Sequence, residues 1–434
     1  MSQRVAGIDI HKKVLMVVAA TVLEPASDDA LAAASGEASD VAVERKIEYE
    51  SRRFGASAAE REHLAAWLRE RGVQEVVMES TAQYWKPVWL DLEPHLRKLH
   101  LAQAHSNRAP KGRKNDFGDA KRLTRRLLAG ELILSFVPEA EQRAWRTMTR
   151  HKQQLVRDRV RLQNQLEALL EEARIKLSSV ISDLLGVSGR RIPQALSRGE
   201  KDPEKLAELG EDRLKCSKRE LADALNGSPE PVHVELLKLY LERLTLLDEQ
   251  IGKLDQMMGA ALHKHEDAVS RVAQVPGLGV DSAQQLIAEV GIDAETFPSA
   301  GQFSSWVGTC PGTEESAEQN HSSRSPKGNR FVRRILNQAA QAAVKTKNSH
   351  FQSVFRRLLP RLGYKRAIWA IAHRLGRLLW KILHDRVSYI EHGGETTPMA
   401  KKRRAYKLAQ SLRKLGYSVS LTPIPAKQLV QSSE

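Results

Sequence analysis

The chain has 434 residues, 41% hydrophobic and 28% charged, with a formal net charge of +15. That length exceeds one ordinary core, so two or three domains are expected, and no apolar run reaches the ~18–20 residues of a membrane span. The only cysteines, Cys216 and Cys310, lie far apart and offer neither a disulfide framework nor a zinc site, which fits a reducing, cytoplasmic setting without a signal peptide. The positive excess points to a polyanionic partner, nucleic acid before membrane.

Arg4 to Ala20 (RVAGIDIHKKVLMVVAA) is an apolar, β-branched run, read as two strands turning near His11 and Lys12. One carboxylate, Asp9, sits inside it. An acid there is costly unless a cation meets it, and a divalent metal is the usual partner. Residues 23–40 are rich in Ala, Ser and acid and read as an excursion. A strand is expected over 41–54, a helix over 58–71 with Leu64, Trp67 and Leu68 on one face, and a short strand over 73–78 that ends at Glu79. A helix around 83–92 and a strand over 96–101 follow. Residues 111–130 then open with a basic loop and become a helix. Asp116 and Asp119 share its first turn at i, i+3, facing one side or capping the helix.

Strand pair, strand, helix, strand, helix, strand, helix is the element order of an RNase H-like fold. Its metal site takes carboxylates from a first strand, a later strand end and a final helix. Asp9, Glu79, Asp116 and Asp119 occupy those places. Two metals ~3.5–4 Å apart could stabilise the attacking and leaving oxygens at a phosphate.

Residues 142–175 and 234–258 are long amphipathic helices. Arg143, Arg146, Arg150, Lys152, Arg157, Arg159 and Arg161 fill much of the polar face of the first. They are read as an antiparallel coiled-coil arm capped by segment 176–233, or equally as a plain helical bundle. A third region begins near Ala268. VSRVAQVPGLGVDSAQQLIAEVG (269–291) reads helix, turn, helix. Such a helix-hairpin-helix-like segment can set backbone N–H groups against a phosphate, and Gly277 and Gly279 permit close approach. FSSWVGTCPGTEESAEQNHSSRSPKGNRFVRRILNQAA (303–340) places a Ser-rich loop before a basic helix. A serine can attack a phosphodiester when cations hold the phosphate. Ser316, Ser322, Ser323 and Ser325 are all possible by chemistry, with Lys327, Arg330, Arg333 and Arg334 as cations. Residues 361–420 hold 14 Lys/Arg against 3 Asp/Glu, in an amphipathic helix (363–385) and a basic tail suited to phosphate contact.

GIDIHK, MESTAQYWKPVW, KNDFGDAKRL, IKLSSVISDLLGVSGRRI, VPGLG and PGTEESAEQ with KGNRFVRR together resemble the DEDD transposases of bacterial insertion sequences. The resemblance runs from about Arg4 to about Gly393. It implies an α/β RNase H-like (RuvC-like) domain over 1–135, a helical coiled-coil region over 140–262, an α-helical transposase domain over 268–393 and a basic tail over 394–434. It implies four acids, Asp9, Glu79, Asp116 and Asp119, holding Mg²⁺. In that family the proposed nucleophile is a serine five residues after the proline of a G-x-x-P segment. GTCP ends at Pro311, so the position is Ser316. The family commonly continues Ser-Ala-Gly-Lys or Ser-Gly-Gly-Lys, whereas this chain continues Ala317-Glu318-Gln319. The resemblance further implies DNA strand exchange guided by a structured non-coding RNA, in a dimer or tetramer acting at the bacterial nucleoid. Two other classes fit the residues: a metal-dependent endonuclease using water, and a non-catalytic nucleic-acid-binding protein.

Overall fold

The computed structural model describes residues 3–23, 46–79, 82–104, 115–312, 314–316, 319–322, 325–391, 393 and 398–422. The expected excursion beyond Leu23, the basic residues 111–114 and Ser323 lie outside the described residues. The chain divides into two units, Met1–Pro138 and Glu139–Glu434.

In the first unit, β1 (Arg4–Ile10) and β2 (Val14–Val22) pair antiparallel, and β3 (Ile47–Gly55) joins β2 antiparallel. On the other side, β4 (Glu75–Glu79) runs parallel to β1, and β5 (Lys98–Ala102) parallel to β4. A two-residue β6 (Leu134–Ser135), too short to leave a periodic signal, closes the sheet antiparallel to β5. The strand order is 3-2-1-4-5-6. With α1 (Ala58–Glu70), α2 (Trp85–Leu92) and α3 (Asp116–Leu128), this mixed sheet agrees with the RNase H-like expectation.

Strand alternation sorts the two faces of the sheet. Ala6, Ile8 and Ile10 pack with Leu64, Trp67 and Leu68 of α1 and with Val88, Trp89 and Leu92 of α2. Val77 and Ala102 point the other way, against Leu123 of α3. Ser57 starts α1 by accepting from Glu60 N, a cap whose loss typically costs about 1 kcal/mol.

The second unit opens with α4 (Ala140–Glu172). Four short helices follow: α5 (Leu177–Val180), α6 (Val187–Ser197), α7 (Pro203–Glu208) and α8 (Lys218–Leu225). They share a core of Ile175, Ile192, Leu206 and Leu221 with the end of α4. Then α9 (Pro231–Ala261) returns along α4. Lys152 pairs with Asp255, Arg159 with Asp248 and Glu172 with His233, so partners fall along one helix as they rise along the other, and the pair is antiparallel. The sequence reading set Arg146, Arg150 and Lys152 on a basic face. The structure pairs all three with carboxylates of a later helix described below, Arg146 and Lys152 largely buried and Arg150 still reaching solvent.

The remainder is α10 (Glu266–Ala273), α11 (Val280–Val290), α12 (Ala300–Val307), the hairpin β7 (Glu314–Ser316) with β8 (Gln319–Ser322), α13 (Arg330–Ala343), α14 (His350–His384) and α15 (Pro398–Lys414). α14 kinks at Gly363, whose φ is 71°, three residues after Pro360. A strand hairpin thus stands where a loop is expected, because backbone pairing there needs no apolar pattern to announce it. The tail contains a helix, α15, opened by Pro398 and built from good helix formers. Among the described residues no helix is long and apolar enough to cross a membrane.

Candidate active site

Gly7 shares the α3-facing side of β1 with Asp9. A Cβ at Gly7 would stand 2.5 Å from Ala120 O and from Thr124 Oγ1, so only glycine lets α3 press onto the strand. Thr124 Oγ1 lies 3.1 Å from Val18 O and 2.9 Å from Ala120 O, with one proton to share between the two acceptors. The first turn of α3, with Asp116 and Asp119, is thereby brought beside the end of β1. Asp9 is 8% exposed. His11 Nε2 lies 3.2 Å from Asp9 Oδ2 and 3.7 Å from Asp116 Oδ1. One ligand atom from each of Asp9, His11 and Asp116 falls within 4.8 Å of the others.

Burial pushes the Asp9 carboxyl above the usual aspartate range. His11 works against that, and the negative charges of Asp119 and Asp116 add to it. Glu79 is half-buried at the end of β4. Ile8 pairs with Met78 in the parallel register, so Asp9 and Glu79 are the next residues on adjacent strands. Glu79 shares the face of Val77, the face that α3 covers. Asp119 Oδ1 stands 3.5 Å from Arg122 Nη2.

The structure thus joins Asp9 and Asp116, sets Asp119 on the same helical turn, and puts Glu79 at the neighbouring strand end. His11 is the residue that the sequence reading missed. The GIDIHK motif sets His11 two after Asp9, one residue beyond the end of β1, where no strand period extends to it. Carboxylates crowded around a buried aspartate, with an imidazole nitrogen beside them, make a donor set that suits a divalent cation.

In the second unit, Ser316 is the last residue of β7, and its backbone pairs with Gln319. Two glycines pinch the stem of this hairpin. Gly308 has φ +76°, and a Cβ on Gly328 would stand 2.2 Å from Val307 O. Asn329 N donates to Trp306 O at 2.9 Å across the same crossing. Of the four expected cations, Lys327 and Arg330 are exposed, Arg330 resting over the Phe331 ring at 4.9 Å. The other two already bind protein. Arg333 Nη1 donates to Pro326 O at 2.8 Å and its guanidinium stacks on Trp369. Arg334 Nη2 donates to Gln285 Oε1 at 2.7 Å, and burial, with the Arg157 charge, lowers its pKa.

Gly277 has φ +85°, and a Cβ there would stand 2.2 Å from Ala339 O, so this glycine is needed for packing α13. Gly279 is the N-cap of α11, with open space around its Cβ position. In the first turn of that helix Asp281 already faces the dipole and accepts from Lys152.

Comparison with known proteins adds a family to this geometry. The family model described as Transposase IS116/IS110/IS902 family matches residues 269–356, a span that contains Ser316. A second model, for the DEDD transposase of the IS110 group, matches residues 37–175, which contain Glu79, Asp116 and Asp119. The chain is 27% identical over 324 residues to a "Probable family 20 transposase" of Pseudomonas aeruginosa, covering 72% of this chain and 85% of that protein. It is 26% identical over 322 residues to the "Transposase for insertion sequence element IS1111A" of Coxiella burnetii, covering 72% and 79%. Matches in both units, each over a candidate site, identify the chain as a DNA transposase that belongs to the IS110-type DEDD family.

Proposed function

We propose that the chain is an insertion-sequence recombinase that cuts and exchanges DNA strands with a Mg²⁺-binding acidic site and Ser316 as nucleophile. The observation that carries the acidic half is the grouping of Asp9, His11 and Asp116 beneath the first turn of α3. Asp9, Glu79, Asp116 and Asp119 would hold the metal, with His11 orienting Asp9 and Asp116. When bound, Mg²⁺ supplies positive charge for a scissile phosphate and lowers the cost of a developing oxyanion. The serine half is supported by the family position of Ser316, by its place at a strand end, and by exposed Lys327 and Arg330 nearby in sequence.

In the reaction, the Ser316 hydroxyl loses its proton and its oxygen forms a bond to phosphorus. The bond from phosphorus to the 3′ oxygen breaks, and that oxygen takes a proton and leaves as a 3′-OH. A 3′-OH later attacks the phosphoseryl link, restoring the diester and the free serine. The active form would be a dimer or tetramer. Guidance by a structured non-coding RNA rests on the family resemblance alone. The nucleic acid is held electrostatically, so log affinity should fall with log salt by roughly 0.9 for each duplex phosphate contacted.

The test is adduct trapping. Protein, RNA transcribed from the non-coding end of the element and a nicked suicide DNA carrying its terminus should yield a phosphoseryl adduct, which mass spectrometry places on Ser316. Ser316→Ala should give none. Cleavage by that variant without attached protein would mean a water-using endonuclease. An adduct on Ser322, Ser323 or Ser325 would keep the reaction and move the residue.

A further inference from the structure

Outside the acidic site, the most deeply buried charged side chain among the described residues is Glu289, near the end of α11 and 2% exposed. Arg150 holds it with two parallel bonds, Nε to Oε1 at 2.7 Å and Nη2 to Oε2 at 2.9 Å. Arg146 reaches the same turn, donating to Ala288 O at 3.1 Å and Glu289 O at 2.5 Å. One further partner is not a charge. Asn329 Nδ2 donates to Glu289 Oε2 at 2.9 Å.

That bond fixes which way the Asn329 amide faces. With the nitrogen on Glu289, Asn329 Oδ1 must point into α13, where it accepts from Phe331 N at 2.9 Å and Val332 N at 3.1 Å. Asn329 is therefore at once the N-cap of α13, the residue bonded across the glycine crossing to Trp306 O, and the ligand of a buried carboxylate. Its chain neighbours are Gly328 of that crossing and Arg330, with Lys327 one residue further back. The two exposed cations and the base of the serine hairpin thus hang from one side chain.

We infer that Glu289 is a positioning residue for strand cleavage: through Asn329 it sets the hairpin base and the Lys327/Arg330 turn against the DNA phosphate. This rests on the reading that the hairpin carries the nucleophile. An asparagine is required at 329 because an aspartate, equally good as a cap, would set two carboxylates against each other.

Three variants test this with the full-length protein, the element-end suicide DNA and the transcribed RNA. Asn329→Asp keeps the cap acceptor but opposes Glu289. Glu289→Gln turns an amide N–H toward either Arg150 or Asn329. Each should slow single-turnover cleavage on the order of a hundredfold, the scale of an ångström-sized misplacement, while the DNA dissociation constant stays within about twofold. The double variant Glu289→Gln/Asn329→Asp reverses the bond, with the amide now on α11 donating and the carboxylate now on the α13 cap accepting, and keeps one negative charge beside Arg150. It should recover cleavage to within about tenfold of the parent, a rescue that general loss of stability would not give. Wild-type rates in both single variants, a double no faster than the slower single, or rate and affinity falling together would overturn the proposal. Ser316→Ala run in parallel separates the two ideas. If it still cleaves, the serine reading fails whatever the Glu289 variants do; if it is inactive while the singles cleave normally, only the positioning role fails.

Discussion

Asp9 and Glu289 are both carboxylates withdrawn from water, at 8% and 2% exposure, yet their surroundings are opposite. Glu289 is saturated by a bidentate Arg150, by Arg146 and by the Asn329 amide. Among the described residues Asp9 has His11 as its basic partner; burial above all pushes its carboxyl up, His11 opposes that, and the charges of Asp119 and Asp116 add to it. A buried charge that folding has already satisfied organises the chain around it. A buried charge with few positive partners among the described residues suits a cation from outside.

Removing Glu289 should have the largest effect on this contrast. Glu289→Ala leaves Arg146 and Arg150 facing each other, and breaking a buried pair costs about 3–5 kcal/mol, toward the lower end here because Arg150 reaches solvent. Chemical denaturation should register that loss in the second unit; a change under about 1 kcal/mol would mean the network is solvated and the contrast empty.

Next in size is metal addition. Mg²⁺ or Mn²⁺ at about a hundred times its dissociation constant should stabilise the first unit by about 2.7 kcal/mol through mass action. The melting shift should vanish in Asp9→Asn, and an equal shift in that variant would place the cation elsewhere.

Smaller again is the metal-free effect of Asp9→Asn. Removing a charge that burial disfavours should raise stability by about 1 kcal/mol, a few degrees in melting temperature, while abolishing strand exchange. A fall in melting temperature would show that His11 already compensates the charge.

The smallest effect is on pH dependence. A carboxyl whose folded pKa is raised holds its proton more tightly when folded, so its stabilisation is complete below the unfolded aspartate value and is lost as pH rises through the folded one. In metal-free protein the first unit should lose stability across that window, and Asp9→Asn should lose less. Identical pH profiles would remove the electrostatic basis of the Asp9 site.

The sequence by itself determined the first unit closely. The strands from Arg4 to Val22, the strand ending at Glu79 and the helix beginning at Asp116 were legible because burial of one sheet face imposes a period that chain order preserves. The places of Asp9, Glu79, Asp116 and Asp119 near strand ends and in a first helical turn were legible for the same reason. Tertiary structure alone decided which groups meet. Gly7 became the contact that seats α3, and His11 joined two carboxylates that are 107 residues apart in the chain. Arg146 and Arg150 read as a solvated basic face because helical period records that a residue is polar, not which distant carboxylate it will find. Arg333 and Arg334 read as free cations on the same ground, and the fold commits them to Pro326 and Gln285. Periodicity is a local property of the chain, whereas an ion pair depends on packing between segments far apart in sequence, and only the folded chain brings those segments together.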